Sequence, residues 1–126
     1  MDFESGWDFS EPFDFIHGRN LVGSVRDHPA LFKRIFNNMN PSGWVEMADF
    51  AGYLYSDDDT IQNAPNIREW AKLQNEAAGK FGKRLDVAPN LKQWMIDAGF
   101  QDVTEEVYKV CLLSYCLYLY TVCVHN

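Results

Sequence analysis

The 126-residue sequence predicts an α/β fold with a parallel sheet. Three observations carry this: a short apolar run at 13–17 between Pro12 and Gly18, an amphipathic pattern at 28–39, and a second apolar run at 43–50. Strand, helix and strand in that order form a βαβ unit, whose strands run parallel with a right-handed crossover.

The first strand, within PFDFIHGR, stops at His17, Gly18 and Arg19 and reads as buried. The helix at 28–39 has Asp27 near its cap, Pro29 in its first turn, and Leu31, Phe32, Ile35, Phe36 and Met39 on one face. NPSG at 40–43 breaks it and leads into the strand WVEMADF, with Glu46 in its interior. A polar connector with Asp57, Asp58 and Asp59 follows, read as a solvated loop because no fourth oxygen ligand stands at a cation-binding spacing. Helices are expected at 66–81, on Ile67, Trp70, Ala71, Ala77, Ala78 and Phe81, and at 89–98, on Leu91, Trp94, Met95 and Ala98, with Gly99 as the stop. A strand at 101–110 completes the charged part of the chain. Trp44, Trp70 and Trp94 are read as core residues.

Composition excludes several classes of function. A net charge of -7 and a pI near 4.8 with scattered basic residues do not make a nucleic-acid surface. The acidic, aromatic start MDFESGWDFS is no secretory leader, so a cytoplasmic or nuclear protein is expected. Cys111, Cys116 and Cys123 all lie near the end, without the pairing of a disulfide framework or the spacing of a zinc site, so no metal is expected. The last 17 residues, 110–126, hold no Asp, Glu, Lys or Arg. This tail is set apart from a body at 1–109. It is slightly short for a membrane span, a membrane role is not favoured, and its Tyr, Cys and Val suit a strand equally well.

The order of motifs FDFIHGRNLVGSVRD, NNMNPSGWVEMADF, WAKLQNEAAGKFGK and LKQWMIDAGFQDV resembles the later half of the fungal LaeA-like class I methyltransferases over roughly Asp2 to Lys109. The resemblance implies a partial Rossmann-like sheet and S-adenosylmethionine (SAM) as cofactor. FDFIHGR then stands at the family's fourth strand and WVEMADF at its fifth, where Ser42 is a mild departure from the commoner PGGWVE. The opening MDFESGWDF resembles the acidic loop beside the adenine ring, which implies Asp2 as the adenine-side acid and Phe3 as a ring contact; Trp7 is the one tryptophan considered for ligand contact. His17 and Arg19 would face the cofactor. The chain contains no GxG, so the Gly-rich turn that lets a backbone approach SAM is missing. The reading that covers both ends is a partial gene model with a tail of translated intron, since a common splice-donor sequence encodes Val-Cys, as at Val110 and Cys111.

His17 is read either as a general base or as a strand-end residue held by a neighbour and lining the cofactor pocket. Arg19 either forks onto a carboxylate of cofactor or acceptor or pairs with Asp14 or Asp27. Glu46 either faces the active-site cleft or makes a structural hydrogen bond. The expected function is therefore that of a SAM-dependent methyltransferase present as a fragment with impaired or no activity alone, acting on a small-molecule or protein acceptor. The alternatives are an interaction module that pairs a protein partner through an exposed sheet edge, and a tail-anchored protein.

Overall fold

The computed structural model describes residues 3–112 and 115–125; Asp2 lies outside them. The chain forms β1 (Phe13–Arg19), α1 (His28–Asn37), β2 (Met39–Phe50), α2 (Pro65–Lys80), α3 (Leu91–Ala98), β3 (Gln101–Leu112) and β4 (Tyr115–His125). The four strands make one sheet in the order β1-β2-β4-β3. The β1–β2 pair is parallel, as the βαβ pattern requires, and β4 runs antiparallel to both β2 and β3.

Local chemistry sets the helix ends. Asp27 Oδ1 accepts from Ala30 N at 2.9 Å, with Pro29 in the first turn where no amide hydrogen is needed. The helix closes two residues earlier than the pattern suggests, because Asn38 caps it through its amide to Ile35 O at 3.0 Å and its side chain to Arg34 O at 2.8 Å. Met39 already begins β2, so NPSG is not a helix break. It lies inside the strand's span, where the register jumps from Phe13 opposite Met39 to Phe15 opposite Trp44. Gly99 ends α3 in the left-handed region at φ 113°, as its sequence position predicts.

Side chains alternate between the two sheet faces. Val45 and Met47 of β2 and Val122 and Val124 of β4 face α1 and α3, packing with Leu31, Phe32, Ile35, Leu91, Met95 and Phe100 into one core. Each fully buried Val, Leu, Phe or Met contributes about 1.5–3 kcal/mol. The opposite face carries Phe15, His17, Trp44, Glu46, Thr121, Cys123, Thr104 and Tyr108 in matched rows, with Phe15 57 % and Trp44 48 % exposed.

Two expectations are corrected here. The β1 strand is an edge strand and largely exposed, because its outer side has no neighbour among the described residues. Trp44 and Trp70 are not core residues: Trp44 stands on the uncovered face, and Trp70 (54 % exposed) lies on a helix of which no residue is fully buried. Trp94 does pack against the core. Strand β3 continues to Leu112, and β4 fills the place between β2 and β3, so the described residues of the uncharged segment are strand. Among the described residues no helix is long and apolar enough to cross a membrane.

His28, at the start of α1, is 4 % exposed, stacks on Trp94 at 5.3 Å and leaves its Nε2 without a partner among the described residues. Burial pushes its pKa below 6.5, against the pull of the Glu4 and Asp27 carboxylates. The unfolded chain therefore takes up this proton first as pH falls. Stability present above pH 6.5 is expected to be lost as pH drops through the folded value, and urea midpoints should fall more steeply between pH 7.5 and pH 5 in the wild type than in His28→Phe. Parallel slopes in the two proteins would assign the acid sensitivity to other groups.

Candidate functional site on the β1–β2 pair

The register of the parallel pair places His17 directly opposite Glu46. Their side chains meet, His17 Nδ1 to Glu46 Oε2 at 3.0 Å, with both partly exposed. Two candidates that are 29 residues apart in sequence thus form one pair. A carboxylate on Nδ1 fixes the ring's orientation and favours the tautomer with its proton on that nitrogen. The Phe15 ring stacks on the imidazole at 6.4 Å and 23°, bracing it from the strand's amino-terminal side. The row continues across β4 to Cys123, opposite Glu46, whose thiol pKa is pushed up by burial and then by the Glu46 and Glu106 carboxylates.

Phe3, Trp7, His17, Gly18 and Arg19 line a hollow of about 330 Å³ beside the free edge of β1. Phe3 is held there by its carbonyl, which accepts from Trp7 Nε1 at 3.0 Å and from Arg34 Nη1 at 3.2 Å. Trp7 stands edge-on to Phe9 and Phe13, with centroids at 5.7 and 6.4 Å. Arg19 is exposed and makes no ion pair among the described residues. Its two proposed partners are engaged elsewhere: Asp14 accepts from Asn40 Nδ2 at 2.7 Å, and Asp27 caps α1. The aspartate run is likewise occupied in its loop, Asp57 with Lys109 and Asp58 with the Thr60 amide and hydroxyl.

As a wall beside SAM these residues offer apolar rings, an imidazole and an exposed guanidinium. A cradle for the cofactor needs glycine where backbone meets ligand. The glycine of this wall, Gly18, serves packing instead, since a Cβ there would meet Met47 Sδ at 2.3 Å.

Asp49 was not singled out by its sequence, although its position carries a signal. By the two-residue period it shares the covered face with Val45 and Met47, and an acid there requires partners. The carboxylate is 3 % exposed and accepts from Val22 N at 3.0 Å, latching the segment after β1 to the end of β2. Burial pushes its pKa up, and hydrogen bonds from the Val22, Leu21 and Phe50 amides oppose this.

Comparison with known proteins agrees with this geometry. The methyltransferase-domain profile matches residues 1–105. Methyltransferase pytC of Aspergillus terreus is 31 % identical over 109 residues, covering 86 % of this chain and 34 % of that protein. Methyltransferase cpsF of Aspergillus campestris is 34 % identical, covering 88 % and 40 %, and the secondary metabolism regulator laeA of Aspergillus fumigatus is 29 % identical, covering 85 % and 29 %. The chain thus spans about a third of the length of the curated relatives it matches, 34 % in the pytC case. Among solved structures, a SAM-dependent methyltransferase of Thermotoga maritima superposes with a TM-score of 0.65 at 15 % identity, over 98 % of this chain and 60 % of that one. A phosphoethanolamine N-methyltransferase of Haemonchus contortus, in complex with SAM, gives 0.57 at 13 % identity, over 92 % and 34 %. A Rossmann-like sheet with a parallel βαβ start, an antiparallel β4 between β2 and β3, and the matched profile together place this chain in the methyltransferase-domain family, with the class I SAM-dependent fold and relatives in fungal secondary metabolism.

Proposed function

We propose that this chain is the later part of a SAM-dependent methyltransferase and supplies one wall of the cofactor site, through Phe3, His17 and Arg19, without holding SAM alone. The observation that supports it most is the His17–Glu46 pair, which joins the carboxyl-terminal halves of adjacent parallel strands, toward the ends where open α/β sheets bind ligands. When bound, SAM supplies an electrophilic methyl group to a small-molecule or protein acceptor. The chain's own share is positional: Glu46 orients the His17 ring, Phe3 and Trp7 offer apolar surface, and the exposed Arg19 guanidinium, without an ion pair among the described residues, offers a fork for a carboxylate.

The free edge of β1 supports a second role for the same strand. A parallel edge strand presents unpaired amides and carbonyls, and here the Trp7, Phe9, Phe13 and Phe15 rings gather beside it. In this reading a polypeptide bearing a Gly-rich turn pairs there and completes the site. Calorimetry of this chain with SAM should show no binding. A chimera that joins it behind the first two thirds of the A. terreus relative should bind SAM, with affinity falling when Arg19 is replaced by Ala. Low-micromolar binding by the chain alone would overturn the one-wall reading.

A further inference from the structure

A second hollow, of about 360 Å³, opens between α2 and the segment that leaves β2. Its volume lies within the range of small-molecule sites. Tyr53, Leu54 and Ile61 wall one side, and Arg68, Ala71 and Asn75 of α2 the other. It shares a frame with the His17–Glu46 pair. Asn20 N donates to Ala48 O at 3.0 Å, Val22 N to Asp49 Oδ1 at 3.0 Å, and Gly23 N to Arg84 O at 3.2 Å, which ties the segment after β1 both to β2 and to Arg84, the ion-pair partner of the lining residue Asp86.

Three features define what fits. The Tyr53, Leu54, Ile61 and Ala71 surfaces suit a flat apolar body. The charge left over is positive, although the chain as a whole carries -7. Asp86 is held by both arms of Arg84 at 2.7 and 2.6 Å, and Glu76 stands 3.9 Å from Lys72, whereas Arg68 makes no ion pair among the described residues. A free guanidinium beside an apolar wall selects an acidic oxygen. Asn75 Nδ2 donates to Gly52 O and Ala71 O at 3.0 Å each, which identifies its oxygen, and that buried Oδ1 has no donor among the described residues. A ligand hydroxyl would satisfy it.

We infer that this hollow binds a flat apolar molecule carrying an acidic oxygen and a hydroxyl, of the hydroxyaromatic acid class. Its role as the site of the methyl acceptor rests on the methyltransferase reading; the binding itself does not.

The test is a fluorescence titration of the full chain with a hydroxynaphthoate, in the absence of SAM. Saturable binding is expected, weakened about tenfold or more, or at least about 1.4 kcal/mol, in Arg68→Gln. Naphthoate, lacking the hydroxyl, and naphthol, lacking the carboxylate, should each bind less tightly than the parent. Ala71→Trp, which fills the hollow, should abolish binding while leaving the far-ultraviolet dichroism unchanged, and Lys33→Gln, on exposed α1 surface, should bind as the wild type does. Absence of saturable binding overturns the inference, as does equal binding by wild type and Arg68→Gln, or equal loss in Lys33→Gln. Arg68→Gln is exposed and decides the matter even where Ala71→Trp misfolds. A chain that binds the probe, joined in a chimera that does not bind SAM, keeps this site and rejects only its assignment to an acceptor.

Discussion

A chain that ends at Leu112 will not fold. The reason is position: β4 lies between β2 and β3 and pairs with both, so its removal leaves β3 without a strand partner and exposes the side of β2 that now faces inward. Val122 and Val124 are fully buried against the helices, and losing them forfeits about 1.5–3 kcal/mol each. A domain's whole stability is about 5–15 kcal/mol, and the lost ladder adds to the deficit. The truncated protein should show no cooperative urea transition and no near-ultraviolet dichroism, whereas a sigmoidal transition of normal slope would mean that the first three strands suffice. Within the full chain, Val122→Asp should approach the same result by placing an unpaired charge in the core, while Thr121→Ala on the uncovered face should change stability by less than about 0.5 kcal/mol.

Replacing Asp49 should separate its packing from its hydrogen bonding. Asp49→Leu keeps an apolar volume in the buried position but leaves the Val22, Leu21 and Phe50 amides without their acceptor, and a loss of about 2–4 kcal/mol is expected in urea unfolding. Asp49→Asn retains one carbonyl oxygen and should lose about 1 kcal/mol. Similar losses for both would show that the amides are satisfied without this side chain. Because Asp49 is raised above its ordinary value, the native chain takes up this proton before the unfolded chain does as pH falls. Its contribution is therefore present below the unfolded value of 3.8 and lost as pH rises through the folded one. Asp49→Asn removes that contribution. In the SAM-binding chimera, Asp49→Leu should also weaken cofactor affinity, since the segment it latches follows directly on Arg19.

The elements that sequence reads well here are those whose cause is local. Asp27 caps α1 because an oxygen three residues before an amide can reach it; Gly99 ends α3 because it alone tolerates φ 113° there. The βαβ order of β1, α1 and β2 follows from periodicities that change from two to 3.6 residues and back. The length of α2 was legible for the same reason, its orientation was not. Its apolar residues spread over a broad arc that includes Ile67, Trp70, Leu73 and Ala78, with Phe81 capping its end, and nothing local says which part another element covers. The structure leaves Leu73 53 % and Phe81 75 % exposed.

For the candidate site, residue type pointed to His17, Arg19 and Glu46 one at a time, and the register of two strands made the first and last a pair. Asp49 and Arg68 escaped notice because an acid in a strand and an arginine on a helix acquire meaning only from what packs around them. The uncharged segment at the end shows the division most plainly. Its sequence determined that it is apolar, β-prone and unlike the body before it. That it enters the sheet antiparallel between β2 and β3 was decided by the tertiary structure, because strand pairing is made with residues far away in the chain, and a two-residue period states which faces a strand has but not which neighbours it will find.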